Sequence, residues 1–258
     1  MDFDKITEYN FQLDYKYVSI INDAVKDEFD FWNFDPESFV QSAIHFNKNS
    51  LLHIYVSSTL YCYYLRYFRK NGDLVEREDI DEWIEHLNEY DISLTDKDYD
   101  EESEDAAWNW FKKNEELFIL FFESISDEVV YILFSDKSFL VKFNRLVRKV
   151  LIDEDDTYAD YLIWPDGVRN EDGTIKRCAI PKWVKNAVFH RDKGRCVFCN
   201  KDLTGLVNIL NQKNFDHIIP LKDYGTNDPC NIQLTCEECN KSKGAKDRVP
   251  TYYYQRWW

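Results

Sequence analysis

The sequence predicts an α+β protein in which a large, acidic, all-helical region precedes a small, basic region held together by four cysteines. Three observations predict this: a change in the sign of the charge, apolar residues at helical spacing in the acidic part, and two Cys-x-x-Cys pairs. Residues 179–258 contain 13 Lys and Arg against 8 Asp and Glu, whereas the preceding residues contain 19 against 40. Such a change is typical of a domain boundary. We expect a helical domain over residues 1–155, a linker and hairpin over 156–180, and a second domain over 181–258.

The first helices have recognisable start and stop signals. A helix is expected near residues 15–29. Asp35 and Pro36 predict the start of a second helix, because Asp caps a helix N-terminus and Pro suits the first position. Ser50 is the expected cap of a third helix, which runs to about residue 69 and ends at Asn71-Gly72. The acidic region should therefore begin as a bundle of short helices.

Helical periodicity continues towards the middle of the chain. Ile80, Trp83, Ile84 and Leu87 mark one helix, residues 108–122 a strongly apolar one, and residues 139–150 an amphipathic one. Residues 129–134 are too few to classify by periodicity. Aromatic residues make up 17% of the chain and there is a single Met, so the core should consist of rings and branched aliphatics.

An acidic run at residues 95–105 separates two of these helices. Alternating aspartates there suggest an EF-hand calcium loop. That interpretation fails because Glu101 stands at the glycine position and Ala107 at the closing glutamate position. A solvated loop is expected instead.

The C-terminal third begins after a second acidic run at residues 153–160, which is a plausible linker. Asp172-Gly173 predicts a hairpin turn, and Pro181 predicts the start of another helix. The aromatic tail at residues 252–258 is expected to dock on the domain, although stacking on nucleobases is the alternative.

The two Cys-x-x-Cys pairs are Cys196 with Cys199 and Cys236 with Cys239. Each pair places two thiolates on one tight turn, and a structural zinc ion takes four such ligands in a tetrahedron. Residues 1–4 lack the basic start and apolar run of a signal peptide, so we expect reduced thiols, zinc rather than disulfides, and a cytoplasmic location. No apolar run is long enough for a membrane span.

The segment between the two pairs contains the residues best suited to chemistry. His217 has an ordinary pKa near ~6.5 and can accept a proton from water. Asp216 offers a hard oxygen ligand for magnesium or manganese. Adjacent residues on a strand face opposite ways, so the two could reach one phosphate only at a strand end or bulge, and Pro220 is consistent with a strand that stops there.

Residues 181–246 resemble the HNH endonuclease family, whose core is the ββα-metal fold. The resemblance rests on Cys-x-x-Cys, Asp-His-Ile-x-Pro, a later Asn, and Cys-x-x-Cys-Asn-x-x-Lys in that order. It implies that His217 is the general base, that Asp216 and Asn240 hold a catalytic Mg²⁺ or Mn²⁺, and that Asn231 braces the loop. Asn240 stands where the family name has His, and its amide oxygen can still ligate a hard cation. The four cysteines would hold structural zinc.

The predicted substrate is nucleic acid, most readily double-stranded DNA. The expected contacts are Arg191, Arg195, Lys241 and Lys243, with Lys243 also neutralising phosphate charge at the catalytic site; a solvated surface lysine is the alternative for Lys243. A role in bacterial defence, as a restriction or anti-phage effector, is implied by the resemblance.

Two other functions stay open at this point. One is a zinc module that binds nucleic acid without chemistry. The other is a nuclease subunit that is dormant until a protein partner binds, or until it self-associates, through the N-terminal domain. The acidic domain should repel a phosphate backbone and so restrain the nuclease, unless its charge serves only solubility.

Overall fold

A computed structural model describes residues 14–28, 34–97, 99–103, 105–152, 161–205 and 214–251. The predicted linker at residues 153–160 and the aromatic tail at 252–258 lie outside these ranges. Within them the acidic part of the chain forms seven α-helices: α1 Asp14–Lys26, α2 Pro36–Ile44, α3 Leu51–Asn71, α4 Arg77–Glu89, α5 Ala106–Lys113, α6 Glu115–Leu133 and α7 Lys137–Ile152.

The predicted start signals of α2 and α3 are present as contacts. The carboxylate of Asp35 accepts hydrogen bonds from the backbone N–H groups of Glu37 and Ser38, which otherwise have no partner within the helix. The N–H of Ser50 donates to Nδ1 of His53 at 3.0 Å, which fixes the first turn of α3. Both helices therefore begin where the sequence predicts.

The predicted single helix over residues 108–122 is wrong, because the chain breaks at Asn114. The side-chain amide of Asn114 donates to the carbonyl of Trp110 at 2.9 Å, a carbonyl that its own backbone N–H also contacts. Such local side-chain bonds compete with regular helix geometry. The result is the short α5 followed by α6, which continues through the unclassified residues 129–133.

The helical core is rich in aromatic rings, as the composition predicts. Phe68 on α3 stacks on Phe111 of α5 with ring centroids 4.6 Å apart, and Trp83 of α4 meets Phe118 of α6 edge-to-face at 5.3 Å. Aromatic pairs of this kind add about 0.5–1.5 kcal/mol each beyond the area they bury. These contacts bind α3, α4, α5 and α6 into one body.

The C-terminal part consists of α8 Lys182–Arg191, β1 Phe215–His217, β2 Ile232–Leu234 and α9 Glu237–Lys243. The strands pair antiparallel, with His217 opposite Ile232 and Phe215 opposite Leu234. Before α8, an isolated bridge between Arg169 and Ile175 closes the predicted turn, in which Gly173 adopts a φ of +81°. The order of the elements is thus helix, two-stranded hairpin, helix.

The small domain packs directly on the helical bundle. The N–H of Leu51, at the start of α3, donates to the buried carboxylate of Asp228 at 2.8 Å. The side-chain amide of Asn144 on α7 donates to the carbonyl of Cys230 at 2.9 Å, and Arg148 contacts the carboxylate of Asp223 at 2.7 Å. Removing either part would leave buried polar groups of the other without partners.

Within the described residues, no helix combines the length and the apolar character that crossing a bilayer requires.

Candidate metal and catalytic site

The four paired cysteines come together in space. Their Sγ atoms all lie within 4.8 Å of one another, although the two pairs are separated by the whole β1–β2 segment. No other donor type is needed, because four thiolates make a closed tetrahedral zinc site. The cluster therefore fits structural zinc, and it joins the turn before β1 to the N-terminus of α9.

Local geometry prepares both turns for this arrangement. In the first, the N–H of Asn200 donates to the carbonyl of Cys196, and Asn200 adopts a left-handed φ of +60° that Asn tolerates well. In the second, Cys236 is the cap of α9, and its sulfur accepts the N–H of Cys239 at 3.4 Å. Each turn thus aims two sulfurs at one point.

A buried ion pair fastens α8 to the hairpin. The Nε and Nη2 atoms of Arg191 each donate to the carboxylate of Asp192 at 2.9 Å, and Nη2 also donates to the carbonyl of Ile232 at 2.7 Å. Asp192 in turn accepts the N–H of Leu234 at 2.8 Å. The C-terminus of α8 is therefore bound to both ends of β2.

Asp216 lies in the middle of β1 and faces α9. Its Oδ2 atom lies 2.8 Å from Nζ of Lys243 and accepts the amide N–H of Gln233 at 3.2 Å. Nζ of Lys243 also donates to the carbonyl of His217 at 2.7 Å. The Lys243 side chain is fully buried, so the surface-lysine alternative is wrong, and this cation holds α9 against β1.

Asn240 is placed by the same helix. It lies three residues before Lys243 on α9, and residues at this spacing share one helix face. Asn240 is half-buried and lies one helical turn before the residue that contacts Asp216. The position of Asn240 is fixed further by its neighbour Cys239 in the thiol cluster.

His217 is the last residue of β1, which meets the strand-end condition, but its side chain points into the protein. The residue is 1% exposed, and neither ring nitrogen makes a well-formed hydrogen bond among the described residues, although the side chain of Asn227 interacts with the ring. Burial, followed by the charges of Arg177 and Lys243, lowers the pKa of His217 to about 3. The ring is therefore neutral at neutral pH and shielded from solvent.

The loop between the strands is held from within by Asn231. Its Oδ1 accepts the N–H of Ile219 at 2.8 Å, while its Nδ2 donates to the carbonyls of Ile219 at 3.1 Å and Thr226 at 2.9 Å. Gly225 lets the loop close, because a Cβ atom there would lie 2.0 Å from the carbonyl oxygen of Ile219. The sequence singled out Asn231 but not Gly225.

The four basic residues that were predicted to contact nucleic acid differ in their exposure to solvent. Lys241 is exposed and pairs with Glu237, and Arg195 is partly exposed and pairs with Asp202. The side chains of Arg191 and Lys243 are buried in the ion pairs described above, so the expectation that these two contact a nucleic acid backbone does not agree with this conformation.

Besides Gly225, sequence reasoning missed three polar residues of the site: Asp192, Gln233 and Asn227. Asn227 donates from Nδ2 to the carbonyls of Ile44 at 3.1 Å and Lys176 at 2.8 Å, and so ties the loop beside His217 to α2. The available sequence signal for Gln233 is a polar residue between two apolar ones, since it lies between Ile232 and Leu234 on β2.

Comparison with known proteins bears on this site alone. Searches of curated proteins and of solved structures found no match to the chain. A family model described as HNH endonuclease matches residues 196–246, from the first cysteine of the cluster to just beyond α9. The C-terminal part of the chain is therefore similar to the HNH endonuclease family over residues 196–246.

Proposed function

We propose that the protein is a metal-dependent endonuclease that hydrolyses phosphodiester bonds, with double-stranded DNA as its substrate. The observation that carries this proposal is the contact between Asp216 on β1 and Lys243 on α9. It brings the Asp-His pair against the helix that bears Asn240, within the segment that matches the family model.

Asp216 and Asn240 are the residues that would hold the catalytic Mg²⁺ or Mn²⁺. A carboxylate and an amide oxygen are hard donors of the kind these cations prefer, so the donor set fits. Lys243 already contacts Oδ2 of Asp216, and this residue therefore positions the carboxylate rather than binding a phosphate. When bound by these residues, the cation would stabilise the charge that develops on the phosphate oxygens.

His217 is the proposed general base, and Asn231 is the residue that keeps its loop in shape. A buried ring whose nitrogens make no well-formed hydrogen bond is costly, and water or a phosphate group would satisfy it. The side chain is too deeply buried for contact with a substrate in this conformation. We infer that the segment around Asn227 moves away before His217 accepts a proton from water.

The test is a cleavage assay with supercoiled plasmid, single-stranded DNA and RNA, each with Mg²⁺, Mn²⁺ or no added divalent cation. Plasmid nicking that depends on the added metal is expected. Asp216→Asn and Asn240→Ala should each raise the metal concentration required, with the larger effect for Asp216 because it carries charge. Zinc content should stay at the wild-type value in both. If cleavage by both variants depended on metal as in the wild type, Asp216 and Asn240 would not be the metal ligands.

The burial of His217 favours a second candidate, a nuclease that is dormant until another molecule opens the site. Asn227, which interacts with His217, donates hydrogen bonds to the carbonyls of Ile44 on α2 and of Lys176 before α8, so these two segments hold the loop beside the base in place. In this case the purified chain is nearly inactive, and Asn227→Ala raises its rate of nicking. A fully active wild-type chain would contradict dormancy and leave the nuclease proposal intact.

A further inference from the structure

The segment before α8 lies against the loop that follows β1, and it brings one more cation to the site. The N–H of Cys178 donates to Oδ1 of Asn227 at 3.3 Å, and Nδ2 of Asn227 donates to the carbonyl of Lys176 at 2.8 Å. These two backbone groups flank Arg177, so a single amide side chain holds the backbone on both sides of it. Asn227 also interacts with the ring of His217. The backbone of Arg177 is therefore fixed beside the proposed base.

The positive charge of Arg177 is close enough to act on the His217 ring. Burial lowers the pKa of His217 most, and the charge of Arg177 comes next, ahead of that of Lys243. Nζ of Lys243 lies only 2.7 Å from the carbonyl oxygen of His217. Because the interaction between charges weakens with distance, a cation with the larger effect must also lie near the ring. Two cations from different segments therefore surround His217.

These two cations differ in what they contact. The Lys243 side chain is buried and is bound to the carboxylate of Asp216. The Arg177 side chain is exposed and forms no hydrogen bond or ion pair with any residue that the structure describes. The whole chain contains 48 Asp and Glu against 32 Lys and Arg, yet none of the described carboxylates pairs with this guanidinium. Arg177 is thus available to an anion that comes from outside the protein.

The four basic residues that the sequence predicted as nucleic acid contacts are already engaged. Arg191 and Lys243 are buried in ion pairs, and Arg195 and Lys241 pair with carboxylates at the surface. Arg177 lies before the segment that matches the family model, which begins at residue 196, so the motif does not indicate it. Only the packing of the chain places this residue at the site.

We propose, on the basis of the proposed nuclease activity, that Arg177 binds a backbone phosphate of the DNA substrate next to His217. A guanidinium can donate two parallel hydrogen bonds to two oxygens of one phosphate, which positions the phosphate as well as neutralising its charge. Asn240 lies on α9 and Asp216 contacts that helix, whereas Arg177 comes from the segment before α8. Because Arg177 is exposed in this conformation, DNA can bind here while His217 is still covered.

The test is the affinity of the zinc-loaded full chain for a short fluorescein-labelled DNA duplex. It is measured by fluorescence anisotropy at several salt concentrations, without added magnesium or manganese. Each phosphate contact contributes about 0.9 to the slope of the logarithm of the association constant against the logarithm of the salt concentration. Arg177→Gln should bind about tenfold more weakly at low salt, with a slope smaller in magnitude by about one. Arg177→Lys should keep the slope and lose only part of the affinity, because it keeps the charge without the planar fork.

Lys26→Gln is the matched control, since it removes the same charge from an exposed side chain on α1, and its affinity and slope should equal those of the wild type. Zinc content and urea-unfolding curves should match the wild type in all three variants, because the Arg177 side chain has no described hydrogen bond to lose. A slope and affinity in Arg177→Gln equal to the wild type, or an equal loss in Lys26→Gln, overturns this inference and leaves the nuclease proposal intact. A wild-type chain that binds no DNA overturns it too, and if that chain also fails to nick plasmid, the nuclease proposal falls with it.

Discussion

Lys243→Met tests most directly the contact that holds α9 against β1. It keeps the length of the side chain but removes the cation that contacts Oδ2 of Asp216 and the donor that the carbonyl of His217 accepts. Removing one partner of a buried pair costs about 3–5 kcal/mol, because the other charge stays buried without compensation. Lys241→Met is the matched control on the same helix, where the exposed lysine pairs with Glu237 and the expected change is within about 0.5 kcal/mol.

The assay is urea unfolding followed by tryptophan fluorescence, with zinc content measured for every variant. Asp216→Asn in the Lys243→Met background completes a double-mutant cycle, and the pair should recover part of the lost stability because no charge is then left alone. If Lys243→Met loses no more stability than Lys241→Met, the buried contact does not hold α9 against β1 and the reasoning about the frame is refuted.

Three further predictions concern the zinc, the loop and the interface. Cys239→Ser should abolish zinc binding and unfold the C-terminal domain, since structural zinc contributes on the order of 10 kcal/mol to small domains; elemental analysis of the wild-type protein showing no zinc would oppose this. Gly225→Ala should destabilise the protein by about 1–3 kcal/mol because its Cβ meets the carbonyl of Ile219, whereas Gly205→Ala, whose Cβ would have no described atom within 4 Å, should be neutral in the same urea-unfolding experiment. Burial raises the pKa of Asp228 from 3.8 to about 6, so the folded state binds a proton that the unfolded state releases, and stability should fall by up to about 3 kcal/mol as pH rises from about 4 to 6. Asp228→Asn should flatten this slope, and an unchanged slope would assign it to another group.

Sequence reasoning predicted the elements whose signals are local. Asp35 before Pro36 defines a helix start through two backbone hydrogen bonds that depend on neighbouring residues alone. The two Cys-x-x-Cys pairs predicted a four-sulfur cluster, because each pair closes its own turn. The break at Asn114 was not predicted, since its side-chain bond to the carbonyl of Trp110 is one of several conformations open to an asparagine.

The environment of the site residues depends on the helical region and could not be read from the motif. Adjacency along a strand predicts that Asp216 and His217 face opposite ways, but not what covers His217. The loop that shields the His217 side chain from solvent contains Asn227. Asn227 is hydrogen-bonded to α2, more than 180 residues earlier in the chain. Likewise the motif contains Lys243 without indicating that its charge is buried against Asp216 rather than turned to solvent.

One measurement tests most directly the proposal that this chain is an HNH nuclease with His217 as its general base. It compares the rate of Mg²⁺-dependent nicking of supercoiled plasmid by the wild type, by His217→Ala and by His86→Ala, a control histidine on α4, at matched zinc content. The account predicts loss of nicking, by a factor of about 10² or more, only in His217→Ala, because this variant lacks the proposed proton acceptor, and unfolding curves show that it is folded. Nicking by His217→Ala at the wild-type rate would contradict it.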